Sequence, residues 1–212
     1  AKSEITKEDL KKTSQYKLRA KFIQKKNSSD DEENYLRSIK LEPKIHFLDK
    51  FNISRAEQLC NKTNQFNLRS IRYKSNEILK LNKDKKNIIF LISLKDIYGD
   101  HGLVGLIIIK KINNEIAFLD NFAMSCRILG RNLEGWVLKK SLDECKKKGF
   151  KYLVSEYLPT TKNKMVKDFT KKNNFLQIEN NKIFFKTFLK NKKNITYAIV
   201  KQTKIPNLNA YK

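Results

Sequence analysis

Three apolar segments of strand length in the middle of the chain constrain the fold most. Ile88–Ile92 and Leu103–Ile109 are the longest apolar runs and are rich in β-branched residues, and Ile116–Phe122 follows after the pair Asn113-Asn114. Short, β-branched runs predict buried strands, and an Asn-Asn pair between two of them predicts a hairpin turn. The sequence therefore predicts an antiparallel meander at the centre of a sheet.

Helical patterns surround this meander. Spaced apolar residues among the lysines of segment 1–29 predict one amphipathic helix, and a similar spacing predicts a helix from about Asn132 to Lys148. Ser54 and Glu57 form a capping-box pattern that predicts the start of another helix, and Leu68–Tyr73 is predicted as a strand. The predicted fold is therefore α+β: a mixed, mostly antiparallel sheet with helices on both faces, preceded by a helical linker.

The chain is strongly basic, but its charge does not select a partner. The 46 Lys and Arg residues outnumber the 22 Asp and Glu residues and give a net charge of +24. Such a field attracts polyanions, which include nucleic acids, anionic membranes, phosphorylated cofactors and acidic carrier proteins. The lysines are nevertheless spread along the whole chain beside many Asn and Ile residues, which favours compositional bias with a solvated surface. Aromatic residues near the C-terminus suit a strand core better than base stacking, so nucleic-acid binding is not expected.

Length, cysteine content and hydropathy indicate the number of domains and argue against disulfide-rich, metal-binding and membrane proteins. At 212 residues the chain accommodates one domain plus an appendage. The three cysteines are widely spaced and odd in number, and there are only two histidines, which argues against a disulfide framework and a metal site. No apolar stretch reaches the roughly 18 residues of a membrane span, and the N-terminus lacks a signal-peptide core. We therefore expect a cytoplasmic compartment, no membrane and no metal.

Four sequence blocks resemble, in the same order, the signature blocks of FkbH-like proteins. They lie at 55–73 (RAEQLCNKTNQFNLRSIRY), 96–105 (DIYGDHGLVG), 122–134 (FAMSCRILGRNLE) and 159–169 (PTTKNKMVKDF). The resemblance implies a GNAT-like, acyltransferase-like domain at 45–212. It also implies that the helical segment 1–44 is a linker from an upstream haloacid-dehalogenase-like phosphatase domain, whose aspartate motif does not occur in this sequence.

Members of that family supply glyceryl-type or related acyl units to acyl carrier proteins in polyketide, capsular polysaccharide or related biosynthesis. By this resemblance, the chain is an acyltransferase-like domain that binds an acyl-phosphopantetheine thioester on an acyl carrier protein or coenzyme A. If the domain is active, its enzyme class is acyltransferase. The alternative is a non-catalytic module that docks an acidic acyl carrier protein for the phosphatase-like domain, because a fold does not fix a function.

The segment 127–132, between the last meander strand and the next helix, resembles the GNAT pyrophosphate loop. Such a loop offers backbone N–H groups at a helix N-terminus, where they and the helix dipole bind phosphate. Asn132 replaces the third small residue of the pattern, which argues against a good fit of coenzyme A and leaves a pantetheine arm open. The spacing alone also suits an ordinary strand–helix connection. The cofactor-binding residues that the resemblance implies are Met124, Arg127, Leu129, Gly130, Arg131, Asn132 and Asn163.

Four further residues are candidates for the chemistry. Asn64 and Asn67 lie where GNAT proteins build the acceptor side, and amides bind hydroxyl-rich or carboxylate acyl groups without ionising. Their alternative role is to bond the backbone of their own loop. Asp120 is a candidate base or a structural carboxylate, and Cys126 is a candidate nucleophile or a buried, inert thiol. Thr170 stands where many GNAT enzymes have a tyrosine acid, and a threonine hydroxyl is too weak an acid for that role.

Overall fold

An eight-stranded sheet forms the centre of the computed structural model, which describes residues 7–29, 31–173, 175–177 and 197–200. The helices within these ranges are α1 (Lys7–Asn27), α2 (Glu32–Ser38), α3 (Ile53–Lys62), α4 (Ser75–Lys83), α5 (Leu133–Lys147) and α6 (Phe169–Lys172). The strands are β1 (Glu42–Phe47), β2 (Phe66–Asn67), β3 (Ile88–Asp96), β4 (Gly99–Lys111), β5 (Ile116–Met124), β6 (Tyr152–Glu156), β7 (Leu176–Gln177) and β8 (Tyr197–Val200). Two short 3₁₀ turns, Cys126–Ile128 and Lys164–Val166, lie before α5 and α6. A further strand that the sequence predicts at Ile183–Thr187 lies outside the described residues.

The predicted meander is confirmed. Strands β3, β4 and β5 pair antiparallel in succession, with Ile89 opposite Ile108 in the first pair. The side-chain oxygen of Asn113 accepts hydrogen bonds from the backbone N–H groups of Glu115 (2.9 Å) and Ile116 (2.8 Å), which closes the turn between β4 and β5. The strand order is β1-β3-β4-β5-β6-β8-β7, with β5 and β6 as a parallel pair, so the prediction of a mixed, mostly antiparallel sheet is also confirmed.

Helices cover both faces of the sheet, as predicted. On one face, α3 and α4 bury an apolar cluster against β3 and β4 whose members include Ala56, Leu59, Ile78, Leu91 and Ile108. On the other face, α1, α2, α5 and α6 contribute to a larger cluster that includes Phe22, Leu36, Phe122, Val137 and Phe169. Because a fully buried side chain of Val, Leu, Ile or Phe contributes about 1.5–3 kcal/mol, these clusters hold the helices on the sheet.

The start of α3 differs from the predicted capping box. The helix begins at Ile53 with Asn52 at the N-cap, so Ser54 lies inside its first turn. The Glu57 carboxylate accepts hydrogen bonds from the backbone N–H (2.9 Å) and the hydroxyl of Ser75, at the start of α4. Glu57 therefore joins two helices, which is a tertiary contact that a local sequence pattern does not contain.

The predicted strand at Leu68–Tyr73 is wrong, because only Phe66 and Asn67 pair with the sheet in this region. Ser70 has a left-handed backbone (φ +54°), which interrupts an extended strand. The chain after β2 therefore turns, and it brings several side chains towards the end of β5.

Helix α1 packs on the sheet domain. Phe22 is 1% exposed and belongs to the same apolar cluster as α5 and the sheet. Strand β1 already begins at Glu42, before the predicted domain start at residue 45. The division into a linker and a domain stays a prediction, but the described part of α1 is integrated with the rest of the structure.

Candidate functional site

The candidate site lies where the parallel strands β5 and β6 diverge. Their pairing ends with Leu119 opposite Ser155, although β5 continues to Met124. Just past this point Asp120 is an extra residue on β5, because the register against β4 passes from Asn121 to Leu119 without it. Such β-bulges often lie next to functional sites, since they redirect a side chain.

The segment Phe66–Leu68 lies between the diverging strands. Strand β2 pairs antiparallel with Ala123 and Met124 at the end of β5. On the other side, the N–H of Leu158 donates to the carbonyl of Leu68 (2.9 Å), just after β6 ends. The opening between β5 and β6 is therefore filled by main chain of the same molecule, which satisfies buried backbone groups on both sides.

Two of the predicted site amides hold this segment in place. Asn67 is fully buried, and its side chain donates to the carbonyl of Thr63 (3.2 Å) and accepts from the N–H of Ser70 (2.8 Å). Asn163 is also fully buried, and its side-chain nitrogen donates to the carbonyls of Asn67 (2.9 Å) and Leu158 (2.9 Å). Both amides therefore bond protein backbone, which is the alternative role that the sequence left open for Asn67.

A buried charge cluster surrounds Asp120. Arg69 donates to Asp120 Oδ1 (2.5 Å) and to Glu156 Oε2 (2.6 Å), and each of these side chains is at most 5% exposed. Lys110 Nζ lies 3.1 Å from Asp120 Oδ1, and the Tyr73 hydroxyl donates to Asp120 Oδ2 (2.7 Å). Burial, together with the hydrogen bond to Asp120 and its charge, raises the pKa of Tyr73 well above its usual range. Two cations, Arg69 and Lys110, thus neutralise the negative charge of Asp120. This environment is typical of a structural carboxylate.

The predicted phosphate loop connects β5 to α5 and leaves the start of α5 without a side-chain cap. Gly130 (φ +90°) and Asn132 (φ +54°) have left-handed backbones that bend the chain into the helix. Asn132 is the N-cap residue, and it is exposed and makes no capping hydrogen bond through its side chain. Glu134, in the first turn of α5, accepts a hydrogen bond from its own backbone N–H and interacts with Lys26, so a carboxylate already lies at this helix start.

Helix α1 packs against this loop. Lys26 Nζ donates to the carbonyl of Gly130 (3.0 Å), and Arg127 donates to Gln15 Oε1 (2.6 Å). The Phe22 ring lies 3.4 Å from the point that a Cβ on Gly130 would occupy, so a glycine permits this close approach. The helix that the sequence predicts as a linker and the loop that it predicts as a phosphate site therefore form one unit.

Arg131 points into the fold. It is fully buried, its Nε donates to Asp96 Oδ2 (2.7 Å), and its guanidinium carbon lies 3.9 Å from the centroid of the Phe22 ring. Asp96 Oδ1 lies 2.9 Å from His101 Nε2. Burial alone raises the pKa of Asp96, but the hydrogen bonds from His101 and Arg131, with their charges, outweigh it and hold this pKa below its usual range. Because Arg131 is fully buried, a contact with a phosphate in solution would require its side chain or its surroundings to move.

A groove of about 460 Å³, which we call the α1 groove, opens between α1, the loop after β5 and the turn before α6. Its described lining contains three cations, Arg19, Lys26 and Lys162, and no carboxylate. It extends from Gly130 to Gln65, the residue that precedes β2. Arg19 Nε is shielded from solvent and has no hydrogen-bond partner within the described part of the chain. The α1 groove is therefore basic, adjoins the loop and leads to the segment between β5 and β6.

Neither histidine lies beside Cys126 to act as the base that a nucleophilic thiol needs. Cys126 is half-buried at the start of a 3₁₀ turn. Both histidines bind elsewhere, because His46 Nε2 lies 2.7 Å from Ser93 Oγ and His101 is held by Asp96. The structure therefore does not assemble a Cys–His pair at this position.

The remaining predicted residues lie at the edges of the site. Met124 is fully buried at the end of β5, and Leu129 packs against the larger apolar cluster. Asn64 is half-buried and accepts a hydrogen bond from the Arg72 guanidinium. The sequence did not single out Arg19, Lys26, Lys162, Arg69 or Glu156, and the available signal was that Lys162 and Arg69 fall inside the blocks that resemble FkbH-like proteins.

The part of the chain that the structure describes contains neither a metal-binding cluster nor a membrane-spanning helix. No group of three or more His, Cys, Asp or Glu side chains there could hold a metal ion. No helix there is long and apolar enough to cross a membrane.

No family model and no curated protein matches the sequence, whereas several solved structures match the fold. N-acetylglutamate synthase from Neisseria gonorrhoeae, complexed with coenzyme A and N-acetyl-glutamate, is 14% identical with a TM-score of 0.55 over 77% of this chain. The match spans 36% of the length of that synthase. A Mycobacterium tuberculosis protein in complex with CoA is 9% identical with a TM-score of 0.55, over 76% of this chain and 99% of that protein.

A GNAT-family acetyltransferase from Staphylococcus aureus Mu50 gives a TM-score of 0.55 at 14% identity, over 76% of this chain and 100% of that protein. At these levels of identity the likeness establishes the fold. The chain has the GNAT fold that the sequence predicts.

The residues present fit one end of coenzyme A and not the other. The three cations of the α1 groove are suited to phosphate groups. A pantetheine arm carries amides along an extended chain, and the matching surface for such a chain is an open strand edge. The edge of β5 that adjoins the loop is already paired with β2, so the arm does not fit between β5 and β6 in this structure.

Proposed function

We propose that this chain is the GNAT-like half of an FkbH-like protein and docks an acyl carrier protein by binding its phosphopantetheine phosphate in the α1 groove. The observation that carries the proposal is the groove itself, where Arg19, Lys26 and Lys162 line a cavity beside the loop that precedes α5. The resemblance of segment 122–134 to the family signature supports it, as does the coenzyme A bound to two proteins of the same fold.

The three cations of the groove differ in what they can offer a phosphate. Lys26 already donates to the Gly130 carbonyl and lies 2.8 Å from Glu32, so part of its capacity is used. Arg19 has an unpartnered Nε, and Lys162 is exposed at the rim. Arg19 and Lys162 are therefore the side chains that gain most from an anion.

The overall charge adds a long-range attraction to this local one. An acidic carrier protein is drawn to a chain of net charge +24, and the attraction between exposed charges is screened beyond about 8 Å at physiological salt. Salt should therefore weaken the encounter of the two proteins more than it weakens the contact of the phosphate with the partly buried Arg19.

The test compares two double variants that remove equal charge. R19Q/K162Q changes the groove, whereas K80Q/K83Q changes exposed lysines of α4, on the opposite face of the sheet. Because a hydrogen bond to a charged group contributes about 1.5–3 kcal/mol, R19Q/K162Q should weaken coenzyme A binding by at least about tenfold. K80Q/K83Q should stay close to wild type in the same calorimetric titration.

Carrier proteins with and without the phosphopantetheine group provide the second arm of this experiment. The chain should prefer the phosphopantetheinylated form, and R19Q/K162Q should lose that preference. Equal affinity for the two forms, or equal weakening by both double variants, would show that the attraction is only the general charge of the surface.

Acyl transfer is the second candidate function, favoured by the acetyltransferases among the structural neighbours. Thr170 does not offer the acid that a departing thiolate needs, which weighs against it. The two functions are separated by turnover of an acyl carrier thioester. Consumption or transfer of the acyl group by the purified chain, lost in R19Q/K162Q, would establish acyl transfer.

A further inference from the structure

The segment Phe66–Leu68 has the backbone contacts of a sheet strand on both of its edges. Phe66 lies opposite Met124, and the N–H of Leu68 donates to the carbonyl of Phe122 (3.4 Å). The carbonyl of Leu68 accepts from the N–H of Leu158 (2.9 Å). The last backbone groups of β5 are therefore paired with this segment and are closed to another extended chain.

The side chains of the segment fill the space beneath the strands. The Phe66 ring lies 5.8 Å from the centroid of Phe122 and 5.8 Å from that of Phe169, which are themselves 5.0 Å apart. Leu68 is fully buried in the same apolar cluster. These three rings and Leu68 occupy the space between β5 and α6 that would otherwise be open beside the diverging strands.

Polar contacts fix the middle of the segment and the residue that follows it. Asn163 donates to the carbonyl of Asn67, and Arg69 ties the next residue to Asp120 and Glu156 on β5 and β6. Displacement of Phe66–Leu68 would therefore expose apolar side chains and leave buried amide and charged groups without partners.

The segment Phe66–Leu68 lies next to the α1 groove, on the path that a pantetheine arm would take towards the sheet. Gln65, which lines the groove, immediately precedes Phe66, and Gly130, which also lines it, belongs to the loop that follows β5. A pantetheine arm that leaves a phosphate in the groove towards the sheet therefore meets Phe66–Leu68 first. The backbone edge that the arm would use is the one that this segment already occupies.

We infer that Phe66–Leu68 takes the place of the pantetheine arm, so that this domain holds a carrier by its phosphate and leaves the thiol end outside the sheet. The inference rests on the proposed function for the phosphate end. Its consequence is that the thioester is presented to another catalytic centre and does not react between β5 and β6.

The test measures how much the arm contributes to binding. The probes are coenzyme A and the bisphosphorylated adenosine fragment of coenzyme A that lacks the arm. Both should bind the wild-type chain with affinities within about threefold of each other, because the arm finds no strand edge. Coenzyme A binding more than about tenfold tighter than the fragment would overturn the inference.

A pair of Phe66 variants tests what holds the segment on the edge of β5. F66A removes the ring between Phe122 and Phe169, and it should raise the preference for coenzyme A over the fragment, whereas F66L should keep the wild-type ratio. An unchanged ratio in a folded F66A would overturn the claim that this ring anchors the segment on β5. If F66A does not fold, the wild-type ratio still decides the inference.

Hydrogen exchange separates this inference from the proposed function. The amide of Leu68 should exchange slowly, and added pantetheine without phosphate should not change its rate. Faster exchange of this amide with pantetheine would overturn the inference. If neither coenzyme A nor its fragment binds while this amide stays protected, the proposed function fails and the filling of the site by Phe66–Leu68 stands.

Discussion

Replacement of Arg69 by methionine should be among the most destabilising single changes in this protein. Methionine has a similar length but no charge, so it leaves Glu156 buried without its cation, while Asp120 keeps Lys110 at 3.1 Å. The Arg69 and Glu156 side chains are 5% and 1% exposed, so solvent cannot replace the lost partner. Breaking a buried ion pair from one side costs about 3–5 kcal/mol, which is a large part of the roughly 5–15 kcal/mol that stabilise a domain.

Urea unfolding followed by circular dichroism measures this cost. The matched control is R37M, because Arg37 pairs with Glu33 (2.5 Å) on the surface of α2 and both side chains are more than 40% exposed. An exposed pair of this kind contributes about 0.3–0.5 kcal/mol, so R37M should lie close to wild type. The double variant R69M/E156Q should recover part of the stability lost in R69M, because it removes the unpaired charge.

Two outcomes would refute this reasoning. A loss in R69M no larger than that in R37M would mean that the cluster around Asp120 is not buried as described. A double variant that is less stable than R69M would mean that the unpaired charge is not the source of the cost.

Two further predictions concern α1 and α3. F22A should destabilise the protein by about 3–5 kcal/mol and speed hydrogen exchange in α1, because Phe22 anchors this helix on the loop; Y16A, which changes an exposed position of the same helix, should do neither. Hydrogen bonds from Ser75 hold the pKa of Glu57 below its usual value, so its contribution to stability is present above the unfolded-state pKa and is lost as pH falls through the folded-state pKa. E57Q should therefore be less stable than wild type at neutral pH, and the gap in urea midpoint should shrink in acid; a gap that grows in acid would contradict this sign.

Elements whose partners lie next to them in sequence could be predicted. The hairpin of β4 and β5 follows from two apolar runs around Asn113, whose side chain bonds its own turn. Helix α5 follows from apolar spacing that begins just after a left-handed Asn132. These patterns are local, and the hydrogen bonds and apolar contacts that form each element join residues within the same short stretch of sequence.

Contacts between distant segments could not be predicted in the same way. The capping-box pattern pairs Glu57 with Ser54 at the start of its own helix, but its partner is Ser75 on the next helix. The segment after α3 was predicted as a strand at 68–73, whereas the pairing falls on Phe66 and Asn67, because the open edge of β5 lies there. A sequence pattern gives the tendency to extend but not the position of a free strand edge.

In the candidate site, too, local features could be predicted from the sequence and contacts between distant segments could not. The segment 127–132 is predicted as a phosphate loop by its resemblance to the GNAT pyrophosphate loop, and it does lie between a strand and a helix. Two other features depend on how α1 packs against the loop. Arg131 faces Asp96, and α1 supplies Arg19 and Lys26 to the groove. The basic groove and the filled strand edge therefore emerge only from the tertiary structure.

A crystal structure of the chain with coenzyme A tests the central claim most directly. The account predicts phosphate density in the α1 groove, within hydrogen-bond reach of Arg19 and Lys162, with the Phe66 ring still between Phe122 and Phe169. Phosphate density away from the groove, or a pantetheine arm paired with the end of β5 in place of Phe66–Leu68, would contradict it.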